Sequence, residues 1–155
     1  MVVRDHTSQP RRTNGTGIAL QRFFMGFHVS LYRLTGGTLG GKMAGRPMLL
    51  LTTVGRKSGQ ERVTPIMYSS DGNRFILIAS NGGAPKHPQW WFNLQVQPQA
   101  RVQVKQQIVT VIASQPDPEE RQRLWSLITS KYPNFADYQK RTTREIPVVI
   151  LTPQS

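Results

Sequence analysis

Apolar residues recur in this chain with two different rhythms. Between residues 18 and 34, Leu20, Phe23, Phe24, Phe27, Leu31 and Leu34 fall at steps of three and four, the spacing of a helix with one apolar stripe. Arg22, His28 and Arg33 flank that stripe. Such a helix either packs on its own domain or lies on an anionic membrane face with its rings inserted. Residues 35–45 are rich in glycine and read as a flexible connection.

From residue 48 the rhythm becomes that of strands. Runs over 48–54, 63–70 and 74–80 are of strand length, and Asp71-Gly72-Asn73 between the last two is a hairpin signal. Phe75-Ile76-Leu77-Ile78-Ala79 is apolar at both parities, which predicts a central strand covered on both faces. Pro65 cannot donate to a ladder and marks an edge or bulge. Residues 101–105 alternate strictly and pair with 108–113 across Gln106-Gln107. A last strand covers 146–151. Helices are predicted over 86–96, with Pro88 in its first turn, from Pro118 to Tyr132, and over 135–141. Asp117 should cap the second of these and Glu120 reach back to it.

The order is helix, three strands, helix, two strands, helix, strand. Hairpin connections make the sheet largely antiparallel. Six strands predict a small barrel with flanking helices, α+β or mainly β in class. Residues 1–17 form a loose polar tail, and 18–155 one domain.

Composition narrows the chemistry. The 155 residues include no Cys, so disulfides, thiolate catalysis and Cys-bound metals are excluded. His6, His28 and His87 stand apart from carboxylates, so no metal site is expected. Ser58, Ser80 and Ser126 lie in no nucleophile elbow. An enzyme built this way needs a cofactor to carry the reaction. The formal net charge of +12 favours anionic partners, with the cations spread rather than run together. No stretch is long and apolar enough to span a membrane, and no apolar leader precedes Ile18, so a cytoplasmic location is expected.

Four stretches are candidate sites. Residues 55–62, Gly-Arg-Lys-Ser-Gly-Gln-Glu-Arg, bracket cations and a hydroxyl between glycines. Arg56, Lys57 and Arg62 offer donors suited to phosphate or carboxylate; the same residues also describe a solvated basic turn. Ala79-Ser80-Asn81-Gly82-Gly83 ends a central strand with small residues whose backbone could face a planar heterocycle, or make an ordinary glycine turn. Trp90, Trp91 and Phe92 are consecutive, so on a helix one must leave the core unless a partner covers it; Lys86 stands near that helix start. Tyr132, Phe135 and Tyr138 share a helical face, either core or the wall of a pocket.

Three ordered motifs, residues 49–65, 79–88 and 90–94, together with Tyr-Pro-Asn-Phe-Ala-Asp-Tyr at 132–138, resemble the deazaflavin-dependent nitroreductase family. The resemblance runs from about residue 23 to 151. It implies a split β-barrel of actinobacterial type using coenzyme F420, an 8-hydroxy-5-deazaflavin with a phospholactyl-polyglutamate tail. It implies that Arg56, Lys57, Ser58 and Arg62 hold the tail. Ile78, Ala79, Ser80 and Asn81 would border the ring, with Gln89, Trp90, Trp91, Phe92 and Asn93 on the helix beside it. Met67, Tyr132, Phe135 and Tyr138 would wall the substrate, and Tyr132 and Ser80 would be the catalytic residues. The implied reaction is hydride transfer from the reduced deazaflavin to a quinone such as menaquinone, or to a nitroaromatic. Asn81 replaces a lysine, and Met67 and Phe135 replace tyrosines, of a comparable family member, which favours a quinone over a nitroimidazole. The family's membrane-associated N-terminal helix adds peripheral contact with the inner face of the membrane. A split barrel that binds FMN or haem, or that stores a cofactor without catalysis, is the alternative. A basic nucleic-acid-binding barrel is less consistent, because it would interleave cations and aromatics on its strands, and these strands are mainly apolar. No nucleic-acid partner is therefore expected.

Overall fold

The computed structural model describes Val29, Lys42, Met43 and residues 45–155. The expected tail over 1–17 and helix over 18–34 lie outside the described residues, apart from Val29, which is helical. Part of the expected glycine-rich connection is a strand instead. β1 (Lys42–Met43) turns through Gly45 and pairs with the start of β2 (Arg46–Val54).

Six long strands were expected; the described residues form eight. Besides β1, the expected run over 63–70 is divided. β3 (Glu61–Met67) pairs with β2, whereas β4 (Ser69–Asp71) pairs with β5 (Arg74–Ile78). The chain leaves one ladder at Tyr68 and joins another. The remaining pairings run β2–β6 (Gln99–Val104), β6–β7 (Gln107–Ser114), β7–β8 (Val148–Pro153) and β8–β5. All are antiparallel, and the single segment 61–71 joins the two ends of this order, closing the sheet into a split barrel. Pro65 sits opposite Leu50 on β3, whose one ladder is with β2, as its missing donor requires.

The double-sided apolar run at 75–79 has a direct explanation. Leu77 and Ala79 point into the barrel with Leu49, Leu51, Val102, Val111, Val149 and Leu151. Ile76 and Ile78 point outward with Val148 and Ile150, and are covered by Leu124, Ile128 and Phe135. Those three come from α2 (Pro118–Lys131) and α3 (Asn134–Lys140). α1 (Gln89–Val96) closes the barrel with Trp90 and Leu94. The two faces of one strand thus belong to two cores.

Local signals hold with small shifts. Gly72-Asn73 makes the β4–β5 turn, Gly72 at φ 62°. The β6–β7 turn is Lys105-Gln106, one residue earlier than expected. Pro88 stands at the N-cap of α1 rather than inside its first turn, and Lys86 lies before the helix. Asp117 caps α2, its Oδ1 accepting from the Glu120 N–H at 2.8 Å. Glu120 does not reach back; its carboxylate accepts from Arg74 Nη2 at 2.7 Å. Arg74 also pairs with Asp71, which Arg123 reaches from α2 at 3.1 Å, so four charged groups strap α2 to the β4–β5 hairpin.

Candidate functional site

The β2–β3 hairpin carries the cationic loop. The Gly55 N–H donates to the Gln60 carbonyl at 2.7 Å and the Gly59 N–H to the Gly55 carbonyl at 2.8 Å. Ser58 Oγ accepts from the Gln60 N–H at 3.2 Å and lies 3.5 Å from Arg62 Nη2. Gly55 is buried, and a Cβ there would meet Ser58 Oγ at 2.7 Å and the Gln60 carbonyl at 3.2 Å, so a larger residue would push the Ser58 hydroxyl aside.

A polar bolt ties the loop to α1. Asn93 is only 4% exposed. Its Nδ2 donates to Thr53 Oγ1 at 3.1 Å, and its Oδ1 accepts from the Arg56 N–H at 3.2 Å and from Arg56 Nη1 at 3.4 Å. Arg56 Nη1 also donates to Gln89 Oε1 at 2.9 Å, and its guanidinium lies 4.9 Å from the Phe92 ring centre. Arg56 is therefore a strut between hairpin and helix as well as a surface cation. Lys57 and Arg62 are exposed, and among the described residues neither makes an ion pair.

Two adjoining clefts form one groove along α1. The first, about 810 Å³, is walled by residues 55–58, by Arg62 and Thr64 of β3, and by Gln89, Trp90 and Asn93. The second, about 720 Å³, shares Thr64, Gln89 and Trp90 and continues to Ile66, Met67, Ile78, Ser80, Asn81, Gly82, Lys86, His87 and Phe135. One end of the groove is cationic; the other has an apolar wall and exposed backbone.

The second end is built on a turn following β5. Residues 81–83 form one 3-10 turn in which Asn81 (φ 47°), Gly82 (φ 63°) and Gly83 (φ 79°) are all left-handed. Asn81 Nδ2 donates to the Lys86 carbonyl at 3.0 Å. At Gly83 a Cβ would meet the Tyr138 carbonyl at 2.7 Å, so the turn lies directly against α3. Arg144 completes it, donating to the carbonyls of Ser80 (2.7 Å), Ala84 (3.0 Å) and Ala79 (3.3 Å). Its Nη1 lies 3.0 Å from His87 Nδ1, and the His87 ring stacks on Trp91 at 4.1 Å. Burial, and then the Arg144 charge, push the His87 pKa below its usual value. His87 is therefore neutral with Nδ1 accepting, and its proton sits on Nε2.

The expected site residues do not all meet. Arg56, Lys57, Ser58, Arg62, Gln89, Trp90 and Asn93 line the cationic end, and Met67, Ile78, Ser80, Asn81 and Phe135 the other. Ala79 is fully buried and takes part through its carbonyl. Trp91 faces a separate cleft of about 530 Å³ with Arg121 and Trp125, and Phe92 packs against His87 and Trp91. Tyr132 lies outside the groove lining under two cations, Arg46 at 5.0 Å and Lys131 at 5.5 Å. Tyr138 packs against Phe135 and Arg141. Sequence reading missed Thr64, His87 and Arg144. The one signal for His87 was its place between a glycine turn and an aromatic helix. Arg144 had none, since its partners lie 57 to 65 residues away. Among the described residues no group of His and carboxylates is arranged to hold a metal, and no helix is long and apolar enough to cross a membrane.

The sequence profile of the F420H(2)-dependent quinone reductase family matches residues 24–153. The chain belongs to that family. It is 40% identical over 129 residues to an F420H(2)-dependent quinone reductase of Mycobacterium tuberculosis, covering 81% of this chain and 87% of the relative. A solved F420-H2 dependent reductase, FDR-A, superposes with a TM-score of 0.63 at 40% identity, over 69% of this chain and 95% of that one. The haem storage protein HutZ from Vibrio cholerae shares the fold alone, with a TM-score of 0.54 at 16% identity over 84% of this chain and 91% of that one. Membership in the family makes this chain an oxidoreductase whose cofactor is coenzyme F420. The donor set fits such a group. Exposed Lys57 and Arg62 suit an anionic tail, and the far end offers backbone at Asn81-Gly82 with apolar walls from Ile78, Trp90 and Phe135.

Proposed function

We propose that the groove along α1 holds F420 with its tail on the 55–62 loop and its ring at the Ser80–Gly82 end, where a quinone is reduced. The observation that carries this reading is continuity. Thr64, Gln89 and Trp90 belong to both clefts, so a ligand with an anionic tail and a flat head meets matching chemistry along one path. When bound, the reduced deazaflavin supplies the hydride. The protein contributes binding and orientation. Lys57 and Arg62 pair with tail phosphate and carboxylates, while Arg56 keeps loop and helix at a fixed separation. Trp90 and Ile78 exclude water from one side of the ring, and Ser80 and Asn81 offer polar groups at its edge. Met67 and Phe135 present an apolar side to the acceptor, which suits a hydrophobic quinone of the menaquinone type better than a charged substrate. Peripheral contact with an anionic membrane belongs to the same reading. It is supported by the cations Arg46 and Lys131 around the Tyr132 ring, and co-sedimentation with anionic vesicles tests it.

Parallel fluorescence titrations with F420, FMN and a short DNA test the assignment. F420 is expected to bind selectively, and Lys57→Ala with Arg62→Ala to weaken it by roughly tenfold or more, as two charge-assisted contacts of about 1 kcal/mol each imply. Preferential binding of FMN, or DNA binding with a steep salt slope, would overturn it.

A further inference from the structure

Arg144 is a partly buried cation surrounded by neutral acceptors. Its guanidinium serves three carbonyls and His87 Nδ1. Among the described residues no carboxylate comes within ion-pair distance of it. The nearest acids in sequence point elsewhere: Glu145 lies 2.9 Å from Arg121 Nε, and Asp137 4.0 Å from Lys140 Nζ. Burial lowers the Arg144 pKa, the mark of a charge that its surroundings do not fully solvate. The carbonyl dipoles offset this charge without cancelling it.

The charge sits directly behind the ring end of the groove. Ser80, whose carbonyl Arg144 holds at 2.7 Å, lines that cleft. The other groups facing the same end are few. On the turn itself they are Lys86, exposed, and His87, held neutral. β3 contributes Thr64, Pro65, Ile66 and Met67, α1 contributes Gln89 and Trp90, and α3 contributes Phe135; none of these is charged, although Arg46 reaches Met67 Sδ at 3.9 Å and Arg141 packs against Gly83 of the turn. Arg56, Lys57 and Arg62 stand at the opposite end.

We propose that Arg144 is a positioning residue for the ring end: it fixes the 79–87 turn through main-chain carbonyls, and its unneutralised charge favours the anionic form of the bound deazaflavin. The inference rests on the F420 reading above. The ring carries an acidic 8-hydroxyl conjugated with its carbonyls. Loss of that proton spreads a negative charge over the chromophore, which a fixed cation behind the wall stabilises. No bond to Arg144 is required.

The test is spectroscopic. F420 bound to wild type, Arg144→Met, Arg144→Lys and Lys86→Met is titrated with pH, following the chromophore absorbance. The wild-type midpoint is expected below that of free F420. Arg144→Met is expected to raise it by about one unit, the effect of a unit charge near a site at an effective dielectric of about 20. Arg144→Lys, which keeps the charge but not the four-fold bonding, is expected to stay close to wild type. An unmoved midpoint in Arg144→Met, or a shift carried wholly by Lys86→Met, overturns the proposal. If circular dichroism shows Arg144→Met unfolded, Arg144→Gln takes its place, since its amide still donates to a carbonyl. Failure of the wild type to bind F420 defeats the ligand assignment and this inference with it. Intact binding with an unmoved midpoint defeats the role of Arg144 alone.

Discussion

Replacing Asn93 by Leu removes the bolt between hairpin and helix while keeping the number and branching of side-chain heavy atoms. Three hydrogen bonds go: Nδ2 to Thr53 Oγ1, and Oδ1 to the Arg56 N–H and guanidinium. Thr53 is 1% exposed, so its hydroxyl loses a donor that water cannot replace. A buried polar group left unpaired costs about 1–3 kcal/mol, and each lost bond about 1 kcal/mol. The bond from the guanidinium is long and partly exposed and is discounted. The expected loss is about 2–4 kcal/mol, or roughly 4–16 °C in melting temperature for a chain of this size. Urea unfolding followed by tryptophan fluorescence measures it. F420 affinity should fall as well, because the loop and α1 no longer hold one separation. A double-mutant cycle with Thr53→Val, which removes the hydroxyl that Asn93 Nδ2 serves, should show coupling above about 0.5 kcal/mol. A change within about 0.5 kcal/mol for Asn93→Leu, or strict additivity with Thr53→Val, would refute the bolt.

Further predictions concern the turn, the ion network and the aromatic face. Gly83→Ala combines a left-handed backbone with a clash on the Tyr138 carbonyl, and should cost about 2 kcal/mol or more by denaturant unfolding. Asp71 has its pKa lowered to about 2 from 3.8, first by Arg123 and then by Arg74. Its contribution is therefore complete above about pH 5 and lost as pH falls toward 2. Because Asp71 is partly exposed, Asp71→Asn should cost only about 1 kcal/mol at pH 7, with wild type and variant converging near pH 2 in thermal melts. Tyr132→Phe should leave turnover within about threefold, because Tyr132 lies outside the groove lining. A drop of tenfold or more in kcat with unchanged KM would make Tyr132 the proton donor after all.

The elements were legible where the cause is local. Asp117 capping α2 depends on neighbours three residues apart. The Gly72 turn depends on one permissive residue, and the alternation at 101–105 on the period of the pleat. The cationic loop was legible for the same reason: Gly55, Ser58, Gly59 and Gln60 bond to one another within five residues. The Tyr68 division was not, because residues 63–70 read as one strand, and which ladder each half joins depends on β2 and β5.

Sequence alone determined the elements, the antiparallel class, the basic loop and, through ordered motifs, the kind of cofactor. Tertiary structure decided which of those residues share a groove. It put Trp91 on a different cleft from Trp90 and left Tyr132 out of the groove lining. It also brought Arg144 beneath a turn 60 residues earlier in the chain. The physical reason is range. Turns, caps and periodicities follow from forces between near neighbours, whereas a guanidinium meets three distant carbonyls only after β5 and β8 have paired and brought together the segments that flank them.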